Sequence, residues 1–132
     1  MAFELQAVVL TTLILFILLM LQGTLVPLNQ GLAWGLGSRD AAQDKSAFQA
    51  RTARTIANHV EGMLLFVPLA LIVERLQLSS TVTDWGAGLY LGGRIAFAPL
   101  YLLGAPYLRS AAWGISVLGI VLLALPTLAV MM

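Results

Sequence analysis

Arg51, Arg54, Asn58 and Glu61 stand in the stretch RTARTIANHVE, which runs without a turn residue into the apolar segment GMLLFVPLALIV. At 100° per residue these four side chains fall within an arc of about 80° on one helix face, and His59 points elsewhere. From Gly62 to Val73 there is only about 18 Å of apolar helix, against a hydrocarbon core about 30 Å thick. A membrane-crossing helix here must begin before Glu61, which puts Asn58 and Glu61 on the order of 6 and 10 Å deeper than Arg54. A charged group at such depth costs about 2.5 to 3.5 kcal/mol on insertion scales and nearly always faces the bundle interior with a partner. Arg94, in GRIAFAPLYLLGAPYLRS, lies at matching depth on a later helix and is the expected partner of Glu61.

Tyr101 shares the face of Arg94 at a depth close to Asn58, while Arg109 and Ser110 open the next helix from the same end. Arg51, Arg54, Arg94 and Arg109 outnumber the one intramembrane acid, an arrangement suited to holding an anion by charge-assisted hydrogen bonds. Were that anion to carry a thiol, a nearby arginine and the Ser110 hydroxyl would favour its thiolate, the nucleophilic form. The bland readings stand beside this one: Glu61 with Arg94 and Asn58 as interhelical glue, Arg51 as a snorkelling interfacial arginine, His59 as a structural histidine. A metal site is not expected, because one histidine without spaced carboxylates makes no ligand set. With no cysteine, any thiol chemistry must use a thiol from elsewhere.

The elements that must position these residues follow from hydrophobicity. The 132 residues are 60% hydrophobic and 10% charged, against roughly 45 to 50% and about 25% in soluble domains. The fold class is therefore an all-α integral membrane protein. Four segments, roughly 4–27, 52–74, 84–104 and 109–131, each offer the ~20 mostly apolar residues of a transmembrane helix. Short second and third connections make antiparallel neighbours, so the expectation is one domain over 1–132, a four-helix up-and-down bundle. The first connection is long and polar, with room for structure of its own. The first apolar run lacks a basic leader and is too long for a signal peptide's core, so it reads as a retained helix.

Arg39, Lys45, Arg51 and Arg54 flank the first connection and Arg109 the third, whereas the second has only Arg75. By the positive-inside rule the first and third connections, including 28–51, face the cytoplasm and both termini lie outside. Trp34, Trp85 and Trp113 near helix ends suit interfacial anchoring. Pro68, Pro99 and Pro126 are expected as helix kinks. A net charge of +1 with no basic run argues against nucleic acid as a partner and leaves membrane lipid as the surroundings.

The pattern R-x-x-R-x-x-x-N-x-x-E formed by Arg51, Arg54, Asn58 and Glu61, followed by Phe66 and Pro68, resembles the second-helix signature of the MAPEG family. These are the membrane-associated proteins in eicosanoid and glutathione metabolism. GRIAFAPLYLLGAPYLRS resembles the family's third helix and the start of its fourth, and the likeness in plan covers essentially the whole chain. The connection GLGSRDAAQDKS is similar to that of bacterial members, which would place the chain in an inner membrane. The resemblance implies a homotrimer that binds glutathione between subunits as co-substrate and takes a hydrophobic small molecule from the lipid. Carried over by position, Arg51, Arg54, Asn58, Glu61, Arg94 and Tyr101 would bind glutathione, with Arg109 and Ser110 nearest its sulfur as catalytic residues. Thr55, Ile56 and His59 replace the alanine, histidine and aspartate common in the family's enzymes, and the proline is displaced relative to Phe66.

Two functions compete. One is a glutathione-dependent membrane transferase or peroxidase acting on hydrophobic electrophiles or lipid peroxides. The alternative is a non-enzymatic lipid-binding or scaffold protein in which the same charges tie helices together. A proton or ion pathway is a thinner third reading, since only one acid lies at depth.

Overall fold

The computed structural model describes residues 1–132 as five helices: α1 Phe3–Gln30, α2 Leu32–Leu36, α3 Ala47–Arg75, α4 Thr81–Leu102 and α5 Pro106–Met131. Their starts have local causes. Ser46 caps α3 by accepting from the Gln49 amide at 3.1 Å, so α3 begins more than a turn before the predicted residue 52. Ser80 and Thr83 cap α4 reciprocally, and Pro106 occupies the first turn of α5, where its missing N–H is no loss. Gly31, at φ 88°, ends α1 and admits α2, a five-residue helix in the first connection that the hydrophobic pattern does not announce. Pro68, Pro99 and Pro126, like Pro27, all lie inside continuous helices.

Of the four predicted spans, α1, α3 and α5 are long and apolar enough to cross a membrane, and the chain is an integral membrane protein. The fourth, α4, is long but less apolar, because it carries Asp84, Arg94 and several glycines. Its nine buried residues include Gly86, Tyr90, Gly93 and Arg94, so α4 is adapted to protein neighbours more than to lipid.

The core gathers Ala7 of α1, Phe66, Ala70 and Val73 of α3, Ala87, Tyr90 and Leu91 of α4, and Leu123 of α5. Phe66 and Tyr90 stack face to face, 3.9 Å between centroids and 6° from parallel. The closest helix pair is α4 with α5, and small residues make it so. A Cβ on Gly93 would sit 2.7 Å from the Ala112 carbonyl oxygen and the Ser116 amide, and one on Gly119 would collide with the Tyr90 backbone. In lipid, helix association depends on such close packing because there is no hydrophobic force between apolar faces.

His59 completes the interior. It is fully buried, and Nε2 donates to the Thr11 carbonyl at 2.9 Å, with Thr11 Oγ1 at 3.1 Å. Thr11 Oγ1 also lies 3.3 Å from the Tyr90 hydroxyl, so one threonine ties α1 to both α3 and α4. Arg51 Nε donates to the Leu102 carbonyl at 2.9 Å. That bond places the first and third connections at the same end of the bundle.

Candidate functional site

Helical phase separates the polar residues of α3 into two groups. Thr52, Thr55 and His59 turn inward and are buried, while Arg54 and Glu61 are exposed and Arg51 and Asn58 half-buried at the edge facing α4 and α5. Asn58 is the point of contact. Its side-chain oxygen accepts from Arg94 Nη1 at 2.6 Å, and its backbone carbonyl accepts from the same nitrogen at 3.2 Å.

Arg94 is 2% exposed, and its guanidinium lies 5.6 Å from the Tyr90 ring centre and 5.5 Å from that of Phe97. Room for it comes from Gly62, where a Cβ would stand 2.5 Å from Arg94 Nη2. The expected pairing of Glu61 with Arg94 is therefore corrected: the hydrogen bonds of Arg94 run to Asn58, and Glu61 is turned to the outside of α3. The physical reason is rotation. Matching depth brings Arg94 beside residues 58 to 62, but the side lacking a Cβ, at Gly62, is where a guanidinium fits. Arg94 Nε remains buried without a partner.

A second cluster sits nearer the end of the bundle. Arg54 Nε donates to the Tyr101 hydroxyl at 3.1 Å, and the Arg109 guanidinium lies over the Tyr101 ring at 4.5 Å. Phe97 meets Tyr101 edge-on at 5.4 Å. One tyrosine thus positions two cations, one through its oxygen and one through its π face. Ser110 Oγ donates to the Pro106 carbonyl at 3.1 Å, so its single proton is engaged by the backbone in this state.

Asn58, Phe97, Arg109, Ser110 and Trp113 line one cavity of about 210 Å³ between α3, α4 and α5. Of the residues singled out from sequence, Asn58, Arg109 and Ser110 meet in that cavity, with Tyr101 and Arg54 attached to it through Arg109 and with Arg94 behind Asn58. Arg51 is occupied with the α4 C-terminus, and Glu61 lies on the outer face. Sequence reasoning missed Phe97 and Gly62, and gave Trp113 only an interfacial role. Phe97 was legible as one turn before Tyr101 on the Arg94 face, whereas Gly62 carried no signal until the guanidinium was placed against it.

Chemically, the cavity presents one stacked guanidinium, one amide and a hydroxyl, with no acidic residue in its lining. Such a lining stabilises an anion, and the aromatic walls of Phe97 and Trp113 suit an apolar group beside it. No group of three or more histidine or carboxylate side chains is arranged to hold a metal.

No curated protein and no solved structure matches the chain. The MAPEG family model matches residues 7–129, nearly the whole length, and the chain belongs to the MAPEG family.

Proposed function

We propose that the protein is a glutathione-dependent membrane transferase or peroxidase acting on hydrophobic electrophiles or lipid peroxides, working as a homotrimer of four-span subunits. The observation that carries this reading is the acid-free cavity joining Asn58, Arg109 and Ser110, beside which Tyr101 carries Arg109 on its ring and Arg54 on its hydroxyl. Family membership supplies the general class, since glutathione is the family's usual co-substrate.

In the proposed mechanism Arg51 and Arg54 hold the carboxylates of glutathione, Glu61 its amino group, and Tyr101 and Asn58, itself held in place by the buried Arg94, orient the peptide. Arg109 stabilises the sulfur as thiolate, and Ser110 joins it by turning its hydroxyl away from Pro106. In conjugation the sulfur forms a bond to the electrophilic carbon, a leaving group such as chloride departs with its electron pair, and the thiol proton goes to water.

Assembly is argued from the outer face of α3. Arg54, Ala57, Glu61, Leu65 and Pro68 are all exposed along one stripe, and charges left against lipid there would cost about 2.5 to 3.5 kcal/mol each at the bilayer centre. A second copy covering that stripe removes the cost and completes the site with Glu61. The cytoplasmic placing of the first and third connections, with both termini outside, belongs to the same proposal and follows from the basic residues around them.

The test is turnover of a chlorinated aromatic electrophile by detergent-purified protein with glutathione. Arg109→Ala is expected to lower kcat about 10²-fold or more, the scale of losing one charge-stabilising group, while glutathione binding persists. Absence of turnover by the native protein across a panel of chlorinated aromatics and lipid hydroperoxides would defeat the enzymatic reading.

One observation favours a second reading, a non-enzymatic lipid-binding or scaffold protein. Arg94 and Asn58, two of the residues assigned to glutathione, already satisfy each other inside the subunit. On that reading Glu61→Gln disrupts assembly, with no ligand lost.

A further inference from the structure

The first connection is folded into a clamp over the groove between α1 and α3. Gln30 Nε2 donates to the Asp44 carbonyl at 2.9 Å, and Gln30 and Gln49 exchange amide bonds at 2.8 and 2.9 Å. Trp34 Nε1 donates to the Ala41 carbonyl at 2.6 Å. Arg39, at φ 60°, donates from Nε and Nη2 to the Gly35 carbonyl, and its guanidinium lies 5.6 Å from the Trp34 ring centre. These bonds fold the connection over a cavity of about 400 Å³ that is lined by two cations, Arg39 and Lys45, and shares no lining residue with the one described above.

The first connection contributes Arg39, Gln43 and Lys45 and no acidic residue to the lining of the cavity, whereas Leu19, Gly23 and Val26, with Gln22 among them, line it further down α1. From Gln30 to Leu19 the helix descends about 16 Å, from the polar end of the bundle well into the apolar span. Cations above a groove of that depth, its α1 wall formed by Leu19, Gly23 and Val26 beside the single amide of Gln22, match a molecule with an anionic head and a chain. Basic residues beside a membrane span attract such heads and each strengthens the binding.

We propose that this cavity is a binding site for an amphiphile with an anionic oxygen head, its head between Arg39 and Lys45 and its chain running down α1 past Gly23. The shared chemistry is a phosphate or carboxylate head. The chain distinguishes a lipid from a free anion.

The experiment uses the intact, delipidated protein in detergent, with binding followed by native mass spectrometry and by the thermal unfolding midpoint. The probes are phosphatidylglycerol, phosphatidylcholine with the same acyl chains, and inorganic phosphate. Phosphatidylglycerol is expected to bind about tenfold or more tightly than phosphatidylcholine, the scale of two basic contacts, and inorganic phosphate alone to leave the midpoint unmoved. Arg39→Gln with Lys45→Gln brings phosphatidylglycerol down to the level of phosphatidylcholine. Gly23→Leu weakens both lipids, because a Cβ at Gly23 meets nothing within 4 Å and the longer side chain fills the channel. Unchanged helical circular dichroism and elution volume show that each variant is folded. Equal binding of the two lipids, a preference that survives the double substitution, or stabilisation by inorganic phosphate equal to that by phosphatidylglycerol would each overturn the proposal.

Discussion

At the scale of single residues, the tightest constraint is the guanidinium of Arg94, held against Asn58 and admitted by Gly62. A buried group that loses its hydrogen-bond partner costs about 1 to 3 kcal/mol, more when charged. Asn58→Ala is therefore expected to lower unfolding free energy by at least that much, measured by thermal or denaturant unfolding in detergent. Gly62→Ala acts on the same contact from the opposite side, since its new Cβ displaces Arg94 Nη2. A loss of similar size is expected, and in the double variant the two effects should add to less than their sum, because both remove one interaction. Asn58 was legible from its spacing to Arg54 and Glu61. Its partner was not, because depth along an axis says nothing of rotation about it, and the space left by a missing Cβ has no hydrophobic signature. The same limit hid Thr11, whose contacts with His59 and Tyr90 join residues 48 and 79 apart in sequence.

At the scale of elements, the pair α4 and α5 sets the geometry of the cavity, because its walls Phe97, Arg109, Ser110 and Trp113 come from these two helices. Gly93 and Gly119 let the two backbones touch. Gly119→Val is expected to destabilise the bundle by about 1 to 3 kcal/mol or more, the cost of overpacking. Gly114→Ala, on the same helix with open space around the new Cβ, should instead be neutral or stabilise by up to about 1 kcal/mol, because alanine favours a helix more than glycine does. Unfolding midpoints of the two variants, measured side by side, separate the packing effect from propensity. The long helices were legible because twenty apolar residues are a strong signal, and their boundaries shifted where caps, not hydrophobicity, set the start. The helix α2 was not legible, since five residues carry less than two turns of periodicity. The lower apolarity of α4 has the same origin as its function: glycine, tyrosine and arginine there serve neighbours in protein.

At the scale of the whole molecule, the stripe of Arg54 and Glu61 on the outside of α3 demands cover. If a second copy supplies it, Glu61→Leu removes a charge from the subunit interface, whereas Leu65→Trp on the same stripe blocks the contact by bulk. The expectation is that Leu65→Trp shifts the assembly toward monomer in sedimentation or mass measurements in detergent, while Leu118→Trp, on the exposed side of α5, leaves it unchanged. An assembly indifferent to Leu65→Trp would place the interface elsewhere.

Glutathione binding is tested by calorimetric titration of the purified native protein with glutathione, repeated with Arg54→Ala and with the S-methylated tripeptide. Saturable binding is expected at millimolar concentrations or below, with about tenfold or greater weakening in Arg54→Ala from loss of a charge-assisted hydrogen bond. Proton release should accompany glutathione, whose thiol ionises on binding, and should be absent with the S-methylated form, which has no thiol proton. Heat indistinguishable from dilution at millimolar glutathione, in a protein shown to be folded and assembled, would contradict a glutathione site.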